Sequence, residues 1–161
     1  MTRWPGVLLV CSALPLCAQE LTLTITSDPD GAFLTELSNR QSKVAPVTLK
    51  FDGAGLNASR DTNGCFVVAG ATGHWVSGAS TERNRITLCG SESGTYIETI
   101  RRDPDAPRLD EDVDFAKEMT ALRTAGAASD QTLMLLWAER EKNSEVCVKR
   151  KVGDTVSVRC K

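Results

Sequence analysis

Strict alternation of apolar and polar residues near the start of the chain is the feature that most constrains its fold. Over residues 21–26 leucine or isoleucine alternates with threonine, which predicts a strand with one buried and one solvent-facing side. Residues 27–31 predict a turn, because Pro29 presets φ and Gly31 accepts positive φ. The sequence predicts two further strands, at 33–37 and at 47–51.

The turn contains the tetrapeptide Pro29-Asp30-Gly31-Ala32, and an Ala45-Pro46 step precedes the third predicted strand. These residues resemble the PEGA domain family, which is named for Pro-Glu-Gly-Ala, with Asp30 in the place of the glutamate. The resemblance covers about residues 20–51. It implies a small β-sandwich-like module of an exported prokaryotic protein, with no known catalytic residues to carry over.

The first eighteen residues have the features of a secretory signal peptide. Arg3 supplies a positive start, residues 7–16 form an apolar core too short to span a bilayer, and Ala18 provides a small residue for cleavage. Lipid attachment at Cys17 is an alternative, but the bulky Leu16 before it favours simple cleavage. We therefore expect a secreted or periplasmic protein, cleaved after Ala18, with no membrane span in its mature part.

Length and charge narrow the class of protein. Removing residues 1–18 leaves 143 residues, enough for a domain with a hydrophobic core, with 18 basic and 21 acidic side chains. A net charge of −3 without a basic stripe argues against nucleic-acid binding. A composition change at Arg102 divides the mature chain into a PEGA-like β-sandwich module over 19–102 and a second part over 103–161; whether they share one core is left open.

Four cysteines remain after cleavage, and an exported protein keeps such an even set as disulfides. Gly153-Asp154 is a type II′ turn signal, which places Cys147 opposite Cys160 at a non-hydrogen-bonded site with Cα atoms about 4.5 Å apart. We therefore expect a disulfide between these two, and by exclusion one between Cys65 and Cys89. A zinc site is not expected, because no Cys-x-x-Cys spacing occurs.

Further strands are predicted where short apolar or β-branched runs are separated by glycine-rich turns, at 65–69, 74–78, 85–89 and 95–101. An amphipathic helix is predicted over about 110–125, since apolar residues recur every three or four positions and acidic residues crowd its start. The acidic run before it does not fit a calcium loop, because Arg108 stands where glycine is required.

The apolar run 132–138 admits two interpretations. Its residues favour a helix by propensity and Ser129 or Asp130 could cap it, but five successive large apolar residues would point all round a helix. We therefore favour a buried strand, giving a three-stranded C-terminal meander. The predicted fold is mainly β (α+β): a small antiparallel β-sandwich with one amphipathic helix and a C-terminal disulfide-linked hairpin.

The sequence contains few residues in arrangements typical of catalysis or ligand binding. His74 is the only histidine, Ser77 lacks the flanking glycines of a nucleophile elbow, and no phosphate-binding loop occurs. Neither a cofactor nor a metal is expected. Trp75 and Tyr96, together with Trp137, could form a stacking platform for carbohydrate.

Two functions follow as hypotheses. The first is an exported non-catalytic β-module that binds an envelope protein or glycan through a sheet edge or loops, with Trp75, Tyr96 and His74 as possible binding residues. The second is a small secreted hydrolase or inhibitor, which requires carboxylates to converge with His74 in one cleft.

Overall fold

The computed structural model describes residues 20–37, 41–52, 60–89, 94–143, 147–152 and 155–160, the last two ranges by their backbone. In this part of the chain the predicted mainly β, α+β class is confirmed. The elements in chain order are β1 Glu20–Asp28, β2 Phe33–Thr35, β3 Lys43–Val44, β4 Val47–Asp52, β5 Phe66–His74, β6 Ser80–Leu88, β7 Gly94–Arg101, α1 Leu109–Thr124, α2 Asp130–Asn143, β8 Cys147–Val152 and β9 Thr155–Cys160.

Two sheets contribute side chains to one hydrophobic cluster. The first has the order β4-β1-β7, in which β1 runs antiparallel to β4 and parallel to β7. The second has the order β3-β2-β5-β6 and is antiparallel throughout. The alternation in β1 is confirmed, because its apolar residues are fully buried and its threonines are not. The cluster draws from both sheets on Leu21, Leu23, Ile25, Leu34, Val47, Leu49, Phe66, Val68, Ile86, Leu88 and Ile100.

A second hydrophobic cluster joins the two helices to one end of the β-structure. Phe115 and Met119 of α1 and Leu133 and Trp137 of α2 pack with Val44 and Val76. The Trp137 indole also stacks on the Phe33 ring, with centroids 4.8 Å apart. The predicted helix is confirmed as α1, and Gly126, at φ +68°, follows its last turn as expected.

The segment 132–138 is not a strand, and that prediction was wrong. It lies in α2, where the Ser129 hydroxyl accepts a hydrogen bond from the Thr132 amide at 3.1 Å and so caps the helix. Only the stripe through Leu133 and Trp137 is buried, while Leu135 remains 66% exposed. The apolar run is therefore the incompletely covered side of a helix, and the predicted three-stranded meander is reduced to the hairpin β8–β9.

The predicted strand 74–78 was also wrong. Residues 66–74 and 80–88 form two longer strands, and between them the Gly78 amide donates to the Trp75 carbonyl at 2.9 Å in a tight turn. Gly70 falls between the predicted strands 65–69 and 74–78, where the sequence predicts a turn, but it lies within β5. There the backbone of Arg83 in β6 approaches so closely that no side chain fits, which explains a glycine inside a strand.

The cysteine expectations are confirmed as far as the described residues extend. Cys65 and Cys89 form a disulfide that joins the start of β5 to the end of β6. The backbone register of β8 and β9 places Cys147 opposite Cys160 and Val152 opposite Thr155, as the turn signal predicted. The disulfide between Cys147 and Cys160 stays a prediction.

Candidate functional site

The three residues proposed for binding do not form one surface. Trp75 is 2% exposed in the hydrophobic cluster between the sheets, and its indole N–H donates to the Pro29 carbonyl at 2.9 Å. His74 is half-buried and its Nε2 lies 3.1 Å from the Thr35 hydroxyl. Tyr96 is partly buried against the first cluster. A stacking platform built on Trp75 and Trp137 is therefore wrong, because both rings are buried.

Ser77 belongs to a buried polar network that ties three elements together. Its hydroxyl and its amide donate to the two Asp112 carboxylate oxygens at 2.6 and 2.9 Å. The Arg102 guanidinium ion-pairs with the same carboxylate and donates to the Asp103 and Ala106 carbonyls at 2.9 Å. The network thus joins the β5–β6 turn, the end of β7 and the first turn of α1.

The network's buried charges have a structural role in this geometry. Asp112 is 1% exposed and Arg102 is 5% exposed. Among the described residues, only Ser77 and Arg102 donate hydrogen bonds to the Asp112 carboxylate. This carboxylate lies in the first turn of α1, where the helix dipole favours negative charge. Sequence reasoning missed this pair, because nothing distinguishes Asp112 from its acidic neighbours before burial is known.

The Pro29-Asp30-Gly31-Ala32 turn packs against α1. Gly31 has φ +91°, which favours glycine, and a Cβ on it would lie 3.1 Å from the Phe115 ring, so the helix packs closely on this turn. The Ala32 amide donates to the Ser27 hydroxyl at 3.1 Å, and the Ala32 carbonyl accepts from the Ala45 amide at 2.8 Å. The residues that carry the family resemblance therefore meet in space.

Arg123, in the last turn of α1, also contacts the turn at residues 29–32. Its guanidinium ion-pairs with the Asp30 carboxylate and donates to the Ala45 carbonyl. Replacing Arg123 by methionine, which keeps the apolar stem, is expected to lower the free energy of unfolding by about 2 kcal/mol, because two charge-assisted hydrogen bonds are lost. Urea unfolding measures the change.

Arg140→Met is the matched control for that substitution, since Arg140 pairs with Glu118 on an exposed part of the helices. It should cost less than about 0.5 kcal/mol, as exposed ion pairs usually do. Equal losses in the two variants would show that Arg123 is no more than a surface charge.

The edge of the first sheet at β7 carries an exposed apolar residue. β7 lies at the end of the sheet order and pairs with β1, and no other strand of the described chain pairs with it. Ile97, in the middle of β7, is 71% exposed, the largest value among the large apolar side chains that the structure describes. Alternation along 94–101 left both faces of β7 mixed in the sequence, so burial alone distinguishes this residue.

A cleft of about 450 Å³ lies between β7 and β6, the edge strand of the second sheet. The Arg83 guanidinium crosses it to the Glu98 carboxylate at 3.0 Å. Charges of both signs line the cleft, and its walls are Thr81, Glu82, Arg83, Glu98, Thr99, Ile100 and Arg101. An extended segment added to β7 would therefore have alternate residues beside Ile97 and in this charged cleft.

No group of three metal-ligating side chains occurs within the described ranges. No helix in the same ranges is long and apolar enough to cross a membrane. The chain matches no protein-family model, no curated protein sequence and no solved structure.

Proposed function

We propose that this chain is an exported, non-catalytic β-module, with a PEGA-like sandwich as its body, that binds an extended segment of an envelope protein along the edge of β7. The observation that carries the proposal is the accessible edge strand with Ile97 at its centre. Edge strands present unpaired amides and carbonyls that recruit a further strand. Main-chain hydrogen bonds would supply affinity, and the two faces of β7 would supply specificity.

The chemistry of the edge defines the partner. A segment that pairs with β7 places one set of alternate residues beside Ile97, where an apolar side chain buries the exposed surface. The other set lies over the cleft, where Arg83, Glu98 and Arg101 provide both signs of charge. The expected partner is therefore an extended peptide in which apolar residues alternate with charged or polar ones.

The placement of the polar groups supports binding over hydrolysis. A hydrolase site built on His74 needs carboxylates beside the imidazole, whereas the ring's hydrogen-bond partner is the Thr35 hydroxyl. Ser77 and Asp112 are occupied by the buried network. The carboxylate of Glu98, which lies at the cleft, pairs with Arg83.

Replacing Ile97 by lysine tests the proposal. We expect the mature chain, residues 19–161, to recover one partner from an envelope extract of the source organism, and the Ile97→Lys variant to bind it about tenfold more weakly. The reason is that a buried apolar anchor at an interface contributes about 1–2 kcal/mol. Titration of the recovered partner against each variant measures the affinity.

Leu135→Lys serves as the control, because Leu135 is a similarly exposed apolar residue on α2, outside the β7 edge. It should leave the affinity unchanged. A partner that binds the Ile97→Lys variant as tightly as the unaltered chain would place the binding surface elsewhere.

A further inference from the structure

The near-neutral total charge of the mature chain conceals a strong division of charge along it. The twelve residues of β8 and β9 include four basic and no acidic residues. Residues 19–146 hold 13 basic and 20 acidic residues, a net charge of −7. With Asp154 between the two strands, residues 147–160 carry a net charge of +3, so the C-terminal hairpin is a cationic element on an anionic protein.

The fold keeps this hairpin as a sheet of its own. β8 and β9 pair with each other and form a two-stranded sheet separate from the two larger ones. The basic residues are Lys149, Arg150 and Lys151 in β8 and Arg159 in β9, and the register places Arg159 opposite Val148. Four valines, at 148, 152, 156 and 158, alternate with or flank these positions.

We infer that the β8–β9 hairpin docks the protein on an anionic phospholipid surface. Basic residues close to such a surface each strengthen binding about fivefold, and because strand residues alternate between faces, each face of the hairpin holds two of the four: Lys149 and Lys151 on one, Arg150 and Arg159 on the other. The interleaved valines suit the boundary between headgroups and acyl chains, where apolar residues add to the electrostatic attraction. Charge complementarity favours a phospholipid surface over the protein's own acidic body, because a surface presents many anionic groups at once. This inference is independent of the proposed function at β7.

Vesicle sedimentation tests the inference with the mature chain, residues 19–161. We expect binding to vesicles of phosphatidylglycerol and phosphatidylcholine in equal parts, no binding to pure phosphatidylcholine, and weakening as salt is raised. The triple variant Lys149→Gln, Arg150→Gln, Lys151→Gln should partition about 5- to 25-fold more weakly, because it removes one or both of the basic residues on whichever face meets the surface, at about fivefold each.

A body variant with the same net charge is the control: Lys50→Gln, Arg85→Gln, Lys117→Gln, all at exposed positions. It should bind the anionic vesicles within about twofold of the unaltered chain, because these residues lie outside the hairpin. Equal losses in the two triple variants would overturn the inference, since net charge alone would then drive binding. So would binding to soluble polyglutamate without binding to vesicles, because the partner would then be an acidic protein.

Discussion

Replacing Gly70 by alanine is expected to prevent stable folding. An ideal Cβ at this position would lie 1.3 Å from the Arg83 carbonyl oxygen and 2.5 Å from its carbonyl carbon. Both atoms belong to the backbone of β6, so no side-chain rotation relieves the clash. The strands would have to separate between the pairs Ala69–Arg85 and Ala71–Arg83.

The expected loss exceeds about 4 kcal/mol, which is exceptional for one added methyl group and matches the loss of a packed strand pair. β5 and β6 supply Phe66, Val68, Ile86 and Leu88 to the cluster between the sheets, so their separation opens the core. Near-ultraviolet circular dichroism and urea unfolding would show a chain without fixed tertiary structure, or one recovered only in aggregated form.

Gly64→Ala separates this clash from the general effect of a lost glycine. Gly64 has φ +77°, and a Cβ there meets nothing within 4 Å. Its cost is the left-handed backbone alone, about 1–2 kcal/mol. A Gly70→Ala variant that folds with a loss no larger than that of Gly64→Ala would contradict the described approach of β5 and β6.

Replacing Asp112 by alanine is expected to have the next largest effect. The substitution leaves the Arg102 guanidinium buried without a counter-charge and leaves the Ser77 amide and hydroxyl without their acceptor. Breaking a buried ion pair on one side usually costs about 3–5 kcal/mol. The free energy of unfolding in urea should fall by that amount.

Two comparisons make this result specific. Asp114→Ala, on the same turn of α1, removes a carboxylate that is 76% exposed and should cost less than about 0.5 kcal/mol. Asp112→Asn keeps an acceptor but loses the charge, and we expect an intermediate loss. If Asp112→Ala is no more destabilising than Asp114→Ala, the network does not hold α1 to the sheet.

The elements that the sequence predicted correctly are those in which local pattern and tertiary burial agree. In β1 the alternation coincides with one buried face, and in α1 the apolar spacing coincides with the stripe of Phe115 and Met119. The hairpin register followed from Gly153-Asp154, because a two-residue turn determines which residues face each other.

The wrong predictions concern segments whose secondary structure or burial is determined by tertiary contacts. The α2 stripe leaves Leu135 exposed, so an apolar run that looked too apolar for a surface helix was assigned to a strand. From the sequence alone, Gly70 is typical of a turn; the close contact of its Cα with the Arg83 backbone, which explains a glycine inside a strand, is visible only in the structure. Trp75, a candidate for binding by its type, fills the core instead.

The proposed binding site was predictable only in outline. The sequence indicated a sheet edge or loops as the binding surface, but strand order decides which strand is at the edge. That order depends on the parallel pairing of β1 with β7, which joins residues more than seventy positions apart. No local signal in residues 94–101 reports it, and the exposure of Ile97 follows from that pairing.

Site-specific photo-crosslinking from position 97 tests the central claim most directly. A photoreactive amino acid replaces Ile97 in cells of the source organism, with the same substitution at Leu135 as control, and mass spectrometry identifies the crosslinked residues. We predict one dominant adduct from position 97, to a segment in which apolar residues alternate with charged or polar ones, and none of it from position 135. The claim would be contradicted by no adduct at position 97 or by the same adducts from both positions.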